Sequence, residues 1–147
     1  MTRRKRNVTL DTNVLIAYVI SKRNNSLSKK VVMKSITDDR LMLTDIIMDE
    51  CLSYARSPRA KVTTAEMKEK LKEISDHIIE LKPIPSVKEL AERYRIKDIN
   101  DLKILYSVEM TDSVILVTYD DDFRHGVEGI KARIMHPKKY LNEGRGK

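Results

Sequence analysis

Short apolar runs alternate along the chain with stretches whose apolar residues recur at helical spacing. The apolar runs predict strands at 7–10, 41–43, 113–118 and 132–135, with a further short strand at 79–81. The run at 113–118 is the clearest, because a near-continuous apolar segment is typical of a strand buried in a parallel sheet. Strands separated by helices indicate an α/β domain with a mainly parallel sheet of four to five strands.

Polar residues that commonly cap helices precede most of the predicted helical stretches. We expect helices to be capped by Thr12 or Asn13, by Thr44 or Asp45 and by Ser86, to follow the polar segment 21–28, and to start at Thr63 or Thr64 and at Asp98. The long charged helix over 64–79 carries an apolar stripe made of Met67, Leu71, Ile74 and Ile78. This stripe most simply faces the core, and a dimer interface is the second interpretation.

Composition narrows the class of protein. The chain has 147 residues, of which 41% are hydrophobic and 35% charged, and we expect one globular domain over 1–147 with short basic termini. Its single cysteine, Cys51, excludes an internal disulfide and suits a reducing compartment. No segment approaches the roughly 18 uninterrupted apolar residues of a membrane span, and we see no signal peptide. We therefore expect a cytoplasmic protein.

Acidic residues lie where the predicted elements should bring them together. Asp11 follows the first strand, and Asp120 follows the strand at 113–118. The carboxyl ends of parallel strands share one edge of the sheet, which is where ligands bind in such folds. Asp98 and Asp101 are three positions apart on the first turn of one helix, so they share a face. Glu50 lies one to two turns into the helix after the second strand, and all of these acids can converge on one site.

Converging carboxylates indicate a cation site. Like charges that lie close together raise one another's pKa, and divalent cations relieve that repulsion. Oxygen ligands without histidine or cysteine select Mg²⁺ or Mn²⁺. The histidines at 77, 125 and 136 show no ligand spacing, which argues against a zinc site. The chain as a whole carries a net charge of +7, which favours a polyanionic partner.

Four segments carry a resemblance to a known family: LDTNVLIAY, MDECL, KDINDLKILYSVEM and VILVTYDDDF. In this order they resemble the PIN-domain ribonuclease family, including its VapC-type toxins. The resemblance implies a three-layer α/β/α sandwich and Mg²⁺- or Mn²⁺-dependent cleavage of RNA. It also implies site residues: Asp11, Glu50, Asp101 and Asp120 as the catalytic and metal-binding quartet, Asp98 as an accessory metal ligand, and Thr12, Asn13, Thr118 and Asp122 as residues that steady the cluster.

The resemblance also implies partners, and the chain departs from the family in two places. A small PIN domain of this kind is expected to form a homodimer and to bind an antitoxin that masks the acidic site. Arg56, Arg59 and Lys61, which follow the Glu50 helix, are candidates for guiding RNA. Tyr119 stands where many members have glycine, and it would narrow the site or contact a base. The role of the charged helix over 64–79 is open.

Other interpretations of the same residues compete with this one. Asp11 taken alone is a common helix-capping residue, and Glu50 on a helix surface could face solvent. Within the family, an RNA-processing nuclease is the close alternative to a toxin. A second alternative is a non-catalytic RNA-binding protein of the same fold, which the lack of one acid of the quartet would favour. A third is a phosphatase with Asp11 as nucleophile. Thr12 and Asn13 follow Asp11 without the second aspartate of such enzymes, which weighs against the phosphatase.

Overall fold

The sheet has four parallel strands in the part of the chain that the structure describes. The computed structural model describes residues 5–75, 77–121, 123 and 129–143. The strands are β1 (Asn7–Leu10), β2 (Arg40–Leu41), β3 (Ile115–Val117) and β4 (Arg133–Met135), in the order β2-β1-β3-β4. Val8 lies opposite both Leu41 and Ile115, so β1 occupies the interior of the sheet. The predicted parallel α/β architecture is confirmed.

Helices cover the sheet in two groups and complete an α/β/α sandwich. They are α1 (Thr12–Ile20), α2 (Leu27–Thr37), α3 (Asp45–Ala55), α4 (Thr64–Ile74), α5 (Val87–Tyr94), α6 (Ile99–Met110) and α7 (Pro137–Asn142). Helix α2 packs against α1 and α7, whereas α3 packs against α4 and α6, and α5 packs against α6. None of the helices in the described residues is long and apolar enough to cross a membrane.

Side chains just before the helices satisfy their free amide groups, as the capping residues predict. Thr44, Thr63, Ser86 and Asp98 each accept a hydrogen bond from an amide of the following turn. Helix α1 differs from the expectation, because its N-cap is Asp11 and the helix itself begins at Thr12. Asp11 is therefore a capping residue, and its second role appears only in the site.

Two predicted elements end earlier than their apolar patterns suggest. The long charged helix stops at Ile74, with Ser75 in an extended conformation, although Ile78 still packs against the core. The expected strand at 79–81 is reduced to a single parallel bridge between Thr44 and Ile79. The carboxylate of Asp45 accepts hydrogen bonds from the backbone amides at 81 and 82, which removes them from strand pairing. Local side-chain bonds of this kind compete with a sheet ladder.

Apolar side chains from both layers form one core around the strands. Val8, Ile115, Leu116 and Val117 are inaccessible to solvent. Met67 and Leu71, one turn apart on α4, are equally buried. The apolar stripe of this helix therefore faces the core, as predicted. The strand predicted at 113–118 is shorter, covering Ile115–Val117, and Val114 before it is exposed.

A buried polar network attaches the last helix to the start of the sheet. The Asp39 carboxylate accepts hydrogen bonds from Arg6 Nε (3.0 Å) and from the Tyr140 hydroxyl (2.6 Å). Lys34 Nζ donates to the Tyr140 carbonyl oxygen at 2.5 Å. Helix α7 was not predicted from the sequence, although Pro137 at its first position is a typical start signal.

Removing the Tyr140 hydroxyl should destabilise the protein measurably. Asp39 is only 3% exposed, so Tyr140→Phe leaves a buried carboxylate oxygen with one hydrogen bond fewer. We expect the free energy of unfolding to fall by about 1–3 kcal/mol, measured by urea denaturation at pH 7. Tyr106→Phe, at a half-buried tyrosine of α6, is the control. An equal loss in both variants would contradict a specific role for the network.

Candidate active site

Asp11 lies at the carboxyl end of β1 and is the most buried acid of the site. Its backbone amide donates to the Val117 carbonyl, and its carboxylate caps α1 by accepting from the Thr12 amide at 2.7 Å. Its other carboxylate oxygen accepts from the Thr118 hydroxyl, also at 2.7 Å. Burial raises the pKa of Asp11, while the bonds from Thr118 and Thr12 act in the opposite direction.

Thr118 joins the ends of the two central strands. Its side chain is inaccessible to solvent, and its hydroxyl donates to Asp11 while accepting from the Asp120 amide at 3.0 Å. The side-chain amide of Asn13 lies 3.4 Å from the Asp11 carboxylate and 3.5 Å from the Thr118 oxygen, so its contribution is weaker. Three of the four residues predicted to steady the cluster therefore contact Asp11: Thr12, Asn13 and Thr118.

Glu50 turns towards Asp11 and not towards solvent. One carboxylate oxygen accepts from the Thr12 hydroxyl at 2.8 Å. The other, Oε1, is buried and has no hydrogen-bond partner among the described residues. Burial raises the pKa of Glu50, the Thr12 hydrogen bond lowers it, and the charge of Asp11 raises it. A buried carboxylate oxygen without a partner is costly, which makes it a candidate ligand position.

Asp98 and Asp101 approach from the first turn of α6. Asp98 is exposed and accepts hydrogen bonds from the amides of Asn100 (2.9 Å) and Asp101 (3.0 Å). Burial, followed by the charges of four nearby carboxylates, raises the pKa of Asp101 to about 6. These carboxylates are those of Asp98, Asp11, Asp120 and Glu50. Asp101 thus lies within electrostatic range of every other acid of the site.

Asp120 completes the site on its exposed side. It follows β3, and its carboxylate accepts from the Phe123 amide at 3.1 Å. Its charge raises the pKa of both Asp11 and Asp101. Asp122, the remaining residue expected to steady the site, lies outside the described residues. We call the five acids Asp11, Glu50, Asp98, Asp101 and Asp120 the acidic cluster.

The donor chemistry of the acidic cluster fits a hard divalent cation. Its ligand atoms are all carboxylate oxygens, and Oε1 of Glu50 is buried without a partner. In the described ranges, no three acidic, histidine or cysteine side chains are yet close enough to enclose an ion. A bound cation would therefore draw together carboxylates that already share one end of the sheet.

A basic residue of α6 lies near the acidic cluster, besides the candidates named from the sequence. Arg56, Arg59 and Lys61 are exposed after the end of α3. The positive charge of Lys103 lowers the pKa of Glu50. Sequence spacing could not reveal this, because residues two apart on a helix, such as Asp101 and Lys103, do not face each other.

Tyr119, on the loop that carries Asp120, contacts side chains of Ser28 and His136. Its hydroxyl forms a 2.6 Å hydrogen bond with the Ser28 hydroxyl, and its ring meets the edge of the His136 ring at 5.5 Å. These contacts join α2 and the start of α7 to the loop between Thr118 and Asp120. Tyr119 therefore has a packing role in this structure.

Cys51 is part of the core. Burial raises the pKa of its thiol to about 12, and the charges of Glu50 and Asp11 raise it in the same direction. A thiol with this pKa stays protonated at neutral pH and is a poor nucleophile.

Comparison with known proteins identifies a family for this arrangement. The family model of the PIN domain, a family of nucleases, matches residues 8–127, which include the whole acidic cluster. The VapBC2 complex from Rickettsia felis, crystallised with a DNA fragment from its promoter, contains a chain of similar fold. The TM-score is 0.60 and the identity 14%, over 88% of this chain and 98% of that chain. No curated protein matches this chain in sequence. The family indicated by the motifs is confirmed.

Replacing Asp101 by asparagine should stabilise the protein in the absence of metal. Because the folded state raises the pKa of Asp101 from about 4 to about 6, wild-type stability falls as pH rises between these values. After allowance for solvent screening, we expect a loss of roughly 1–2 kcal/mol that Asp101→Asn does not show. At pH 7 the variant should melt about 2–6 °C higher in EDTA.

The measurement is thermal unfolding followed by circular dichroism between pH 4 and pH 7. Asp112→Asn is the matched control, since Asp112 is exposed and its φ of 51° is one that asparagine also adopts. A melting temperature that falls in Asp101→Asn at pH 7 would show that the acids do not destabilise the folded state.

Proposed function

The chain belongs to the PIN-domain family, and we propose that it is a metal-dependent endoribonuclease whose reaction centre is the acidic cluster. The observation that carries this proposal is the environment of Asp101. Its pKa is raised to about 6 by burial and by the charges of all four other acids. Acids that lie together at the carboxyl end of a parallel sheet repel one another, which destabilises the folded state. Catalysis with a divalent metal ion is a reason to keep such an arrangement.

The cofactor in this proposal is Mg²⁺ or Mn²⁺. Asp11, Glu50, Asp101 and Asp120 would hold it, with Asp98 as an accessory ligand. When bound, such an ion supplies charge neutralisation at the phosphate and activation of a water nucleophile. The donor set consists of oxygen atoms only, which favours these ions over zinc.

The remaining residues of the site orient the carboxylates. Thr118 fixes the side chain of Asp11 and the backbone of Asp120, while Thr12 fixes Glu50. These bonds occupy one oxygen of Glu50 and leave Oε1 available. Supporting contacts of this type hold ligands in the orientation that binding requires, so less reorganisation is needed. Binding of a cation would also release protons from the acids whose pKa is raised.

The proposed substrate is RNA. The net charge of +7 favours a polyanion, and the choice of RNA follows the resemblance to PIN-domain ribonucleases. Attraction of a basic protein to a phosphate backbone weakens as salt rises, and it carries no base preference. We place the protein in the cytoplasm, where RNA and a reduced Cys51 coexist.

We further propose that the chain is the toxin of a toxin–antitoxin pair. A chain of the VapBC2 complex shares its fold over 98% of that chain's length, so the two are similar in size. The toxin would form a homodimer and bind an antitoxin that covers the acidic cluster. Induced expression in a bacterial host should stop growth, and Asp101→Asn should abolish the effect. Growth that continues despite active, soluble wild-type protein would favour an RNA-processing nuclease instead.

Cleavage of RNA should depend both on metal and on Asp101. We expect wild type to cut members of a mixed panel of structured RNAs with Mn²⁺ or Mg²⁺, and EDTA to stop the reaction. Asp101→Asn should lose at least about a hundredfold in rate, because a metal-binding carboxylate is replaced by a weaker neutral ligand. Products are resolved by denaturing gel electrophoresis.

Asp112→Asn removes one negative charge at the opposite edge of the sheet and should cut like wild type. Equal activity of wild type and Asp101→Asn would exclude the acidic cluster as the reaction centre. Folded protein that binds RNA but cuts none of it with either metal would favour the non-catalytic interpretation.

A further inference from the structure

A groove lies between α3, the segment 82–84 and the first half of α6. Its volume is about 860 Å³, which is within the usual range for a site that holds one small organic ligand. Glu50 lines the groove, so the groove shares a side chain with the acidic cluster. Asn100, immediately before Asp101, lines it from α6. A ligand in this α3–α6 groove would therefore lie directly beside the acids.

The groove contains two lysines in different electrostatic situations. Lys82 forms an ion pair with Asp49, which also lines the groove. Lys103 is in none of the salt bridges among the described residues, and its charge acts on Glu50. The ammonium group of Lys103 is therefore available to an incoming anion, whereas that of Lys82 is already neutralised.

The walls of the groove suit the other parts of a nucleotide. Ile46, Pro83 and Ile84 supply apolar surface that can cover the face of a base. Ser53 and Asn100 supply hydroxyl and amide groups that can pair with the edge of a base or with a ribose hydroxyl. An apolar wall, polar groups and a free cation within one groove are the features that recognise an unstacked nucleotide and its phosphate.

We propose that the α3–α6 groove holds a nucleotide of single-stranded RNA adjacent to the bond that is cut, with Lys103 binding its phosphate. Lys103 is then a positioning residue that sets how the RNA enters the acidic cluster. This inference rests on the proposed ribonuclease function. It adds the path of the bound RNA, which passes along α3 and α6. A base must leave its stack to enter the groove, so the site favours single strands and loops over duplexes.

Binding of a short fluorescent single-stranded RNA, followed by anisotropy, tests the role of Lys103. All proteins carry Asp101→Asn so that the RNA stays intact, and Mn²⁺ is present. We expect Lys103→Met to weaken binding about tenfold and to reduce the slope of log affinity against log salt by about one. Lys103→Arg keeps the charge and should retain most of the affinity.

Lys131→Met is the matched control. Lys131 is exposed and precedes β4, at the opposite edge of the sheet from the acidic cluster, so its loss removes the same charge from a distant place. It should change affinity by less than about twofold. Equal weakening by Lys103→Met and Lys131→Met would show that only the overall charge matters, and it would overturn the proposal.

A second variant blocks the groove itself. Ser53 is exposed on α3, so Ser53→Trp should fold normally, as its melting temperature will show, while its side chain fills the groove. We expect it to weaken RNA binding and, with Asp101 restored, to raise KM more than it lowers kcat. RNA binding and cleavage unchanged in both Ser53→Trp and Lys103→Met would overturn the RNA assignment and leave a protein segment as the occupant to consider.

Measuring RNA binding and RNA cleavage separately distinguishes a failure of this proposal from a failure of the proposed ribonuclease function. Binding does not require cleavage, so anisotropy decides the role of the groove even if no RNA is cut. Wild type that cuts RNA in an Asp101-dependent manner, with groove variants that bind and cut equally well, would refute the groove and retain the nuclease.

Discussion

The rest of the structure depends on one buried carboxylate, that of Asp11, at the carboxyl end of the interior strand β1. Asp11 is 9% exposed and receives hydrogen bonds from the Thr12 amide and the Thr118 hydroxyl. Its own amide continues the pairing of β1 with β3 through Val117. The same few atoms therefore end β1, begin α1, join it to β3 and position the first acid of the site. Fold and candidate site cannot be altered independently at this point.

Repulsion among the acids is the cost of this arrangement. Burial and neighbouring charges both raise the pKa of Asp101, and Oε1 of Glu50 is buried without a hydrogen bond among the described residues. The other buried side-chain polar atoms of the described residues have hydrogen-bond partners, as Asp39 has in Arg6 and Tyr140. Unfavourable contacts confined to one place are expected where function, and not stability, has determined the side chains.

Packing of α3 against α6 connects the acidic cluster with the neighbouring groove. It places Lys103 within electrostatic range of Glu50, while the contact of α3 with α1 bonds Glu50 to Thr12. In the proposed function, one helix pair therefore supplies both a metal ligand and a phosphate-binding group. Tyr119, on the loop before Asp120, bonds to Ser28 of α2.

Features that depend on residue period and chain order could be predicted from the sequence. The strand cores, most caps and the gathering of Asp11 and Asp120 follow from periodicity and from the shared edge of parallel strands. Residue period left the direction of Glu50 open, and it did not predict the nearness of Lys103 or the loss of the strand at 79–81 to the Asp45 carboxylate. Each of these depends on contacts between residues distant in sequence, or on competition for the same backbone amides, and only the packed tertiary structure decides such contacts.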